Sequence, residues 1–502
     1  MLDLRRVIGV KPLPTWAIAV LGALAGLLAV GLLAALSPLW AMLVIVASVL
    51  GLLALSTPHA GLYLLTIAMI AQWPGQLMKF AGVAVAGSAL LWALATRRSL
   101  VPKDLLLLIL ALLSGLIGIS ALVEGGGPVV IAGSESALRF ALSYASNLAL
   151  YWMVSTLSVN VRVVERLTLA MVLAGVAIAL IGFAQYRLRF IWIASEGSLQ
   201  ANNSILAGRD IVDEVLSWKG FYRIDSLTGA ADYLGLTMQI LIPFAFFWTI
   251  RQASGVRRIA GLLALAAMAT AMVLSFTRGI FVTTAVIVVP MLAHRYGWRR
   301  AFPFLVAGVV LALVTVLSWT ALRERIASTA TELLSGRVDN AGGWRRAIIP
   351  IALQIIFDHF LFGAGVAQHK ELWAKYAPSD LMYPGAYQEP LHNSYLLLAM
   401  EIGFMGPLLL IALMLLGWRR LRKLQRYFRA SGQRSLFDIA LAAEITWIAM
   451  ACNMLLYPIV DATFRYFWVL LALIGALSRV RLDQDDAARN TALAARRSPR
   501  RP

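Results

Sequence analysis

Apolar runs of about twenty residues succeed one another along most of this chain, and short joints between them hold most of the charge. A helix of about that length crosses the roughly 30 Å hydrocarbon core of a bilayer. Because lipid offers no partners to an exposed backbone, only helices and closed barrels can span it. The expected fold is therefore all-α: a polytopic integral membrane protein. Composition agrees, since 60% of residues are hydrophobic and 14% charged, against about 25% charged in an ordinary soluble domain. A single cysteine, Cys452, leaves no intramolecular disulfide and no cysteine-built metal site. The formal charge of +19 falls in clusters between apolar runs. That pattern suits orientation by the positive-inside rule and contact with anionic phospholipids, and no nucleic acid is expected as a partner.

Fourteen spans are predicted: 16–36, 38–57, 59–73, 77–96, 103–123, 136–157, 165–187, 230–250, 256–275, 279–294, 301–320, 394–417, 436–459 and 461–480. The first follows Arg5, Arg6 and Lys11 and is long for a signal-peptide core, so it reads as a spanning helix. The third is short and broken by Trp73-Pro74-Gly75. Residues 1–187 thus hold spans one to seven, 188–229 a loop, 230–320 spans eight to eleven, and 321–391 a large loop. Residues 392–480 hold the last three spans, and 481–502 form a basic tail, expected to be disordered beyond Asp483. With both termini cytoplasmic, 28 basic residues fall inside and only Lys79, Arg139, Arg278 and Arg465 fall in short outside loops. Both long loops then face outward, which in a bacterial inner membrane means the periplasm. Helices are expected within the larger one at 321–334, 344–358 and 366–376, and a loop of that size with its own helices is more often a functional cap than a linker.

Ionisable residues at that outer surface call for a function. Arg278, in Ser275-Phe276-Thr277-Arg278-Gly279, separates two apolar runs with almost no loop; the bland alternative is snorkelling to lipid headgroups. Arg223 precedes the eighth span and could simply pair with Asp225 or Asp232, while Arg337 could merely solubilise its loop. The stretch Glu389-Pro390-Leu391-His392-Asn393-Ser394-Tyr395-Leu396 meets the twelfth span, where a helix amino terminus offers unpaired N–H groups to an anion, with Asn393 or Ser394 as cap. Three arginines and a histidine from four segments thus share one side. Arginine matches phosphate oxygens bidentately, so they suggest a site for a lipid phosphate or diphosphate, with His392 able to move a proton near neutral pH. Metal is not expected: no Asp-x-Asp pair lies in an outside loop, and no Walker loop, HExxH or Gly-x-Ser-x-Gly occurs.

These residues resemble the O-antigen ligase and O-antigen polymerase superfamily of bacterial polysaccharide assembly. His392-Asn393-Ser394-Tyr395-Leu396 followed by Glu401-Ile402-Gly403 and Gly406 matches its His-Asn-x-Tyr-Leu and Glu-x-Gly-x-x-Gly pattern. Ser275–Gly279 is similar to its Ser-Arg-Gly segment with Thr277 in place of the serine, and Phe362–Gly365 to its Gly-x-Gly turn. The resemblance covers roughly Tyr222 to Val480. Asp358-His359-Phe360 stands where the family usually has a proline, and the spacing from Arg337 to Trp344 is long, which leaves Arg345 or Arg346 open for the role of Arg337.

The resemblance implies a GT-C-like, inverting membrane glycosyltransferase that needs no cofactor. Such an enzyme moves a glycan from undecaprenyl pyrophosphate to a sugar hydroxyl, on a growing glycan or on lipid A-core, with a chain-length regulator among its partners. Arg223, Arg278 and Arg337 would bind the diphosphate. His392 would act as base or as diphosphate ligand, with Glu389 as the rival base. Asn393 and Tyr395 would position these groups. The alternative from another class is a secondary transporter of an anionic solute, which calls for ionisable residues near span midpoints and paired broken helices; Glu444 stands out as the acid in a late span. The topology is checked by a cysteine at Gly385: a membrane-impermeant thiol reagent is expected to label it from the periplasm, and labelling only after the inner membrane is permeabilised would invert the assignment.

Overall fold

The computed structural model describes residues 58–70, 85–87, 89–90, 93–94, 105–123, 137–158, 160–188, 217–218, 221–222, 224, 226, 228, 231–252, 255–318, 323, 327, 341–366, 369–377, 391–458 and 465–497. These are helical apart from turns and one short hairpin, in which β1 (Ser217–Trp218) pairs antiparallel with β2 (Phe221–Tyr222). The helices are α1 (Pro58–Ile70), α2 (Leu105–Val123), α3 (Ala137–Leu157), α4 (Val161–Leu188), α5 (Ala231–Arg251), α6 (Gly255–Leu274) and α7 (Arg278–Tyr296). They continue with α8 (Trp298–Ser318), α9 (Ala341–Asp358), α10 (His369–Tyr376), α11 (Ser394–Ile402), α12 (Met405–Ala430), α13 (Arg434–Asn453) and α14 (Arg465–Arg497). Four of them, α4, α5, α6 and α13, are long and apolar enough to cross a membrane. The predicted spans 16–36 and 38–57, and most of 77–96, lie outside the described residues.

Helix α13 is the hub, packing against α4, α5, α7, α12 and α14. In lipid no hydrophobic force separates one apolar helix from its solvent, so close approach and interhelical hydrogen bonds must hold a bundle together. Both occur around Trp447, which is 1% exposed. A Cβ added at Gly417 of α12 would lie 2.6 Å from the indole, so only glycine lets the ring lie flat there. The indole Nε1 donates to the Met414 carbonyl at 2.8 Å, and the ring stacks on Phe467 of α14. One turn away, the buried Glu444 carboxylate accepts from Arg422 Nε at 2.5 Å, Trp418 Nε1 at 2.9 Å and Gln425 Nε2 at 2.6 Å. A buried charge costs several kcal/mol unless it is paired and hydrogen-bonded, and this one is both.

The structure departs from the sequence expectation in three places. The predicted span 394–417 is two helices, broken at Gly403, whose φ of +72° suits glycine. The break is closed by the turn after α9. Ala364 N donates to Met400 O at 2.7 Å, Gly365 N to Glu401 O at 3.2 Å, and Phe404 N to Phe360 O at 3.0 Å. Side chains would prevent this clasp, because a Cβ at Gly363 (φ +75°) would fall onto the Glu401–Ile402 peptide and one at Gly403 onto the Leu361 carbonyl. Glu401, 3% exposed, is thus a second buried acid in the late spans beside Glu444. Finally, the tail expected to be disordered continues α14 as helix to Arg497. Ion pairs Arg479–Asp483 and Arg481–Asp485 support it, as do reciprocal amide bonds between Gln484 and Gln433.

Gly432, in the turn before α13, has nearly the same φ (+69°) as Gly363, but open space around it. Gly432→Ala is expected to lose only about 1–2 kcal/mol for the left-handed backbone. Gly363→Ala must also displace a peptide and is expected to lose at least about 3 kcal/mol. Thermal unfolding of the two variants in detergent measures the difference.

Candidate functional site

Three turns meet at the end of the bundle opposite Arg251 and Arg434. The first joins α6 to α7. Here Phe276 takes a φ of +51°, a region that a bulky residue enters at a cost of about 1–3 kcal/mol. Hydrogen bonds hold the turn: Ser275 Oγ donates to Met272 O at 2.7 Å, and Thr277 Oγ1 sits 3.1 Å from Asp232 Oδ1 and 3.2 Å from Ala231 O. Thr277 therefore ties the turn to the start of α5 and does not cap its own helix. Arg278 is the first residue of α7, so its backbone stands at the positive end of that helix dipole; its side chain lies outside the described residues. Beside the turn, Ile224 N donates to Leu274 O at 3.4 Å, and Ser226 is bonded to Gln185 and to the Ile178 carbonyl of α4.

The second turn carries His392. Asn393 caps α11 with extended backbone (φ −157°), its Oδ1 accepting from Tyr395 N and Leu396 N at 3.0 Å each. Asparagine, whose side chain reaches its own backbone two residues on, is a favoured cap. Ser394 N donates instead to Met454 O at 2.8 Å, and Leu397 N to Asn393 O at 2.9 Å. The first turn of α11 thus spends its N–H groups inside the protein. The expectation that this terminus offers them to an anion is not met, and anion binding beside it falls to side chains. His392, half-buried, immediately precedes this cap.

The third turn, after α13, joins the other two. Ser394 Oγ donates to Tyr457 O at 2.8 Å, Tyr395 Oη to Ala451 O at 3.3 Å and Asn393 Nδ2 to Leu455 O at 3.4 Å. The buried Tyr457 ring lies against Gly279, where an added Cβ would come within 2.6 Å of its hydroxyl. Tyr457 therefore sets the His392 segment beside the first turn of α7. Within the bundle, three buried polar side chains close a ring between α5, α7 and α13. Asn453 Nδ2 donates to Gln239 Oε1 at 2.6 Å, Gln239 Nε2 to Thr283 Oγ1 at 2.8 Å, and Thr283 Oγ1 to Asn453 Oδ1 at 2.8 Å.

The structure thus brings together His392, Asn393, Tyr395 and the backbone of Arg278. Arg223, Arg337 and Glu389 lie outside the described residues. Sequence reasoning missed Tyr457 and the Gln239–Thr283–Asn453 ring. A glutamine and an asparagine inside apolar runs were the available signal; nothing local distinguishes Tyr457.

Residues 262–411 match the family model of O-antigen ligase. Over these residues the chain is similar to the O-antigen ligase family. The match supports the O-antigen ligase/polymerase superfamily and suggests a membrane enzyme of glycan transfer in polysaccharide biosynthesis, with glycan donor and acceptor substrates. It begins in α6, ends in α12, and is narrower than the 222–480 suggested by sequence resemblance. It takes in Arg278, the glycine clasp and His392 but not Arg223. No curated protein matches the chain. The apolar helices and the family together point to a membrane protein.

Gly279→Ala is expected to push Tyr457 aside and to lower both stability and activity. Adding Tyr457→Phe removes the 2.6 Å hydroxyl contact and leaves ring atoms at 3.2 Å, so the double variant should recover part of the loss. A double-mutant cycle on melting temperature and product yield tests this; strict additivity would show that the contact does not couple the two turns.

Proposed function

We propose that this protein is an inverting glycosyltransferase of the bacterial inner membrane, with fourteen spans in a GT-C-like fold, both termini cytoplasmic and its site facing the periplasm. It moves a glycan from undecaprenyl pyrophosphate to a sugar hydroxyl, as a polymerase of O-antigen or exopolysaccharide or as an O-antigen ligase. The observation that carries the reading is the Tyr457 junction, which sets the His392 segment beside the start of α7, whose first residue is Arg278. It joins the two distant sequence segments singled out for phosphate chemistry, both within the family match.

In the proposed reaction the acceptor hydroxyl attacks the anomeric carbon from the face opposite the lipid diphosphate, which inverts that centre. Negative charge grows on the departing diphosphate. Guanidinium groups of Arg278, Arg223 and Arg337 would neutralise it through bidentate contacts. The hydroxyl proton goes to His392, or to Glu389 if His392 instead holds the diphosphate. Asn393 fixes the backbone that presents His392, and Tyr395 braces it through Ala451. The transporter alternative has less support, because Glu444 is consumed by Arg422, Trp418 and Gln425.

His392→Ala and Arg278→Ala are each expected to lower glycan transfer at least about 100-fold, the scale of one lost transition-state donor, in a protein that still inserts. The measurement is glycan assembly in a strain lacking the native gene, with membrane-fraction protein as control. Restoration of full-length glycan by both variants would refute the catalytic reading.

A further inference from the structure

The segment between the eleventh and twelfth predicted spans reads in sequence as an aqueous loop, yet part of its surface is strongly apolar. Phe357 is 74% exposed, Phe362 81%, Leu361 58% and Phe360 49%. Soluble surfaces rarely cluster large apolar groups in this way without a partner. The glycine clasp fixes where they sit relative to α12.

The clasp ties the Phe360–Gly365 turn to the break at Gly403. Toward its far end α12 carries Trp418-Arg419-Arg420, an aromatic followed by charge, which is the pattern expected at a membrane–water boundary. Fifteen residues separate Gly403 from Trp418, or about 22 Å of helix at about 1.5 Å each. A hydrocarbon core of about 30 Å therefore extends about 8 Å beyond the break on the side of the site. The side chains exposed on α12 point the same way. Phe404, Leu408, Ile411, Leu415 and Trp418 form one exposed apolar stripe at alternating four- and three-residue spacing, and Phe360 stacks on Phe404 at its head, centroids 5.2 Å apart and rings within 8° of parallel. The turn extends that stripe.

Helix α9 enters in the same way. Ile348, Ile351, Ala352 and Ile355 are buried in the cluster that includes Leu397 and Met400 of α11, while Ile349, Leu353 and Phe357 form an exposed apolar face. The polar edge, Gln354 and Asp358, lies apart from that face on the helix circumference.

We infer that the carboxyl half of α9 and the Phe360–Phe362 turn form a re-entrant wedge sunk in the bilayer beside the site, its exposed apolar face packed against phospholipid acyl chains. The wedge goes beyond the glycan-transfer reading and holds whatever the substrate is. Backbone at such depth is tolerated only where protein satisfies it, which is what the clasp does.

The test uses the full-length chain with Cys452→Ala, spin-labelled singly at Phe362→Cys, Leu361→Cys or Phe357→Cys and reconstituted into phosphatidylcholine–phosphatidylglycerol vesicles. Ile411→Cys is the lipid reference and Lys375→Cys the aqueous one. Power saturation compares collision with oxygen, which concentrates in hydrocarbon, and with a nickel chelate, which stays in water. Labels at Phe362 and Phe357 are expected to show the oxygen-dominated ratio of Ile411. Leu361 replaces Phe362 if that variant fails to fold. A ratio like that of Lys375 overturns the wedge, and so does shielding from both reagents, which would mark a protein contact. Neither result bears on the catalysis test.

Discussion

A backbone that leaves its helix inside a membrane has no water to turn to, so each break must find partners in the protein. That constraint organises the site end of this molecule. The span at 394–417 breaks at Gly403, and the turn after α9 answers with donors from Ala364 and Gly365 and an acceptor at Phe360. The α6–α7 turn leans on α5 through Thr277, and the turn after α13 accepts from Ser394 and Asn393. Satisfying these groups is what draws segments from distant parts of the chain to one place.

The same economy explains the glycines of the segment that matches the O-antigen ligase family model. Gly363 and Gly403 face each other's backbone neighbours, so each is needed for close approach as well as for its positive φ. Gly279 has ordinary helical backbone and is confined by a neighbour's side chain, the Tyr457 ring. A motif read in sequence as a string of letters becomes two contacts: one peptide lying on another, and one ring lying on a helix start.

The Gln239–Thr283–Asn453 ring joins α5, α7 and α13 beneath the turns that carry the His392 segment and the backbone of Arg278. Each interhelical bond of this kind contributes only about 0.6–2 kcal/mol, so the value of the ring lies more in fixing one arrangement than in adding stability. At the other end, Glu444 and its three partners secure α12 on α13 in the same manner.

Hydropathy determined the helical class of the fold and the approximate positions of the apolar helices among the described residues, because hydrophobic length is a local property of the chain. It could not reveal the break at Gly403: residues 394–417 are apolar apart from Ser394 and Glu401, and what interrupts them is a turn some forty residues earlier in the chain. Nor could it show that the amino terminus of α11 is occupied, since the acceptor for Ser394 N belongs to Met454. The helical tail past Asp483 likewise depends on Gln433 as well as its own ion pairs. Periodicity reports which residues avoid water. Only the tertiary structure decided which backbone groups, orphaned by turns and glycines, would find one another inside the bilayer.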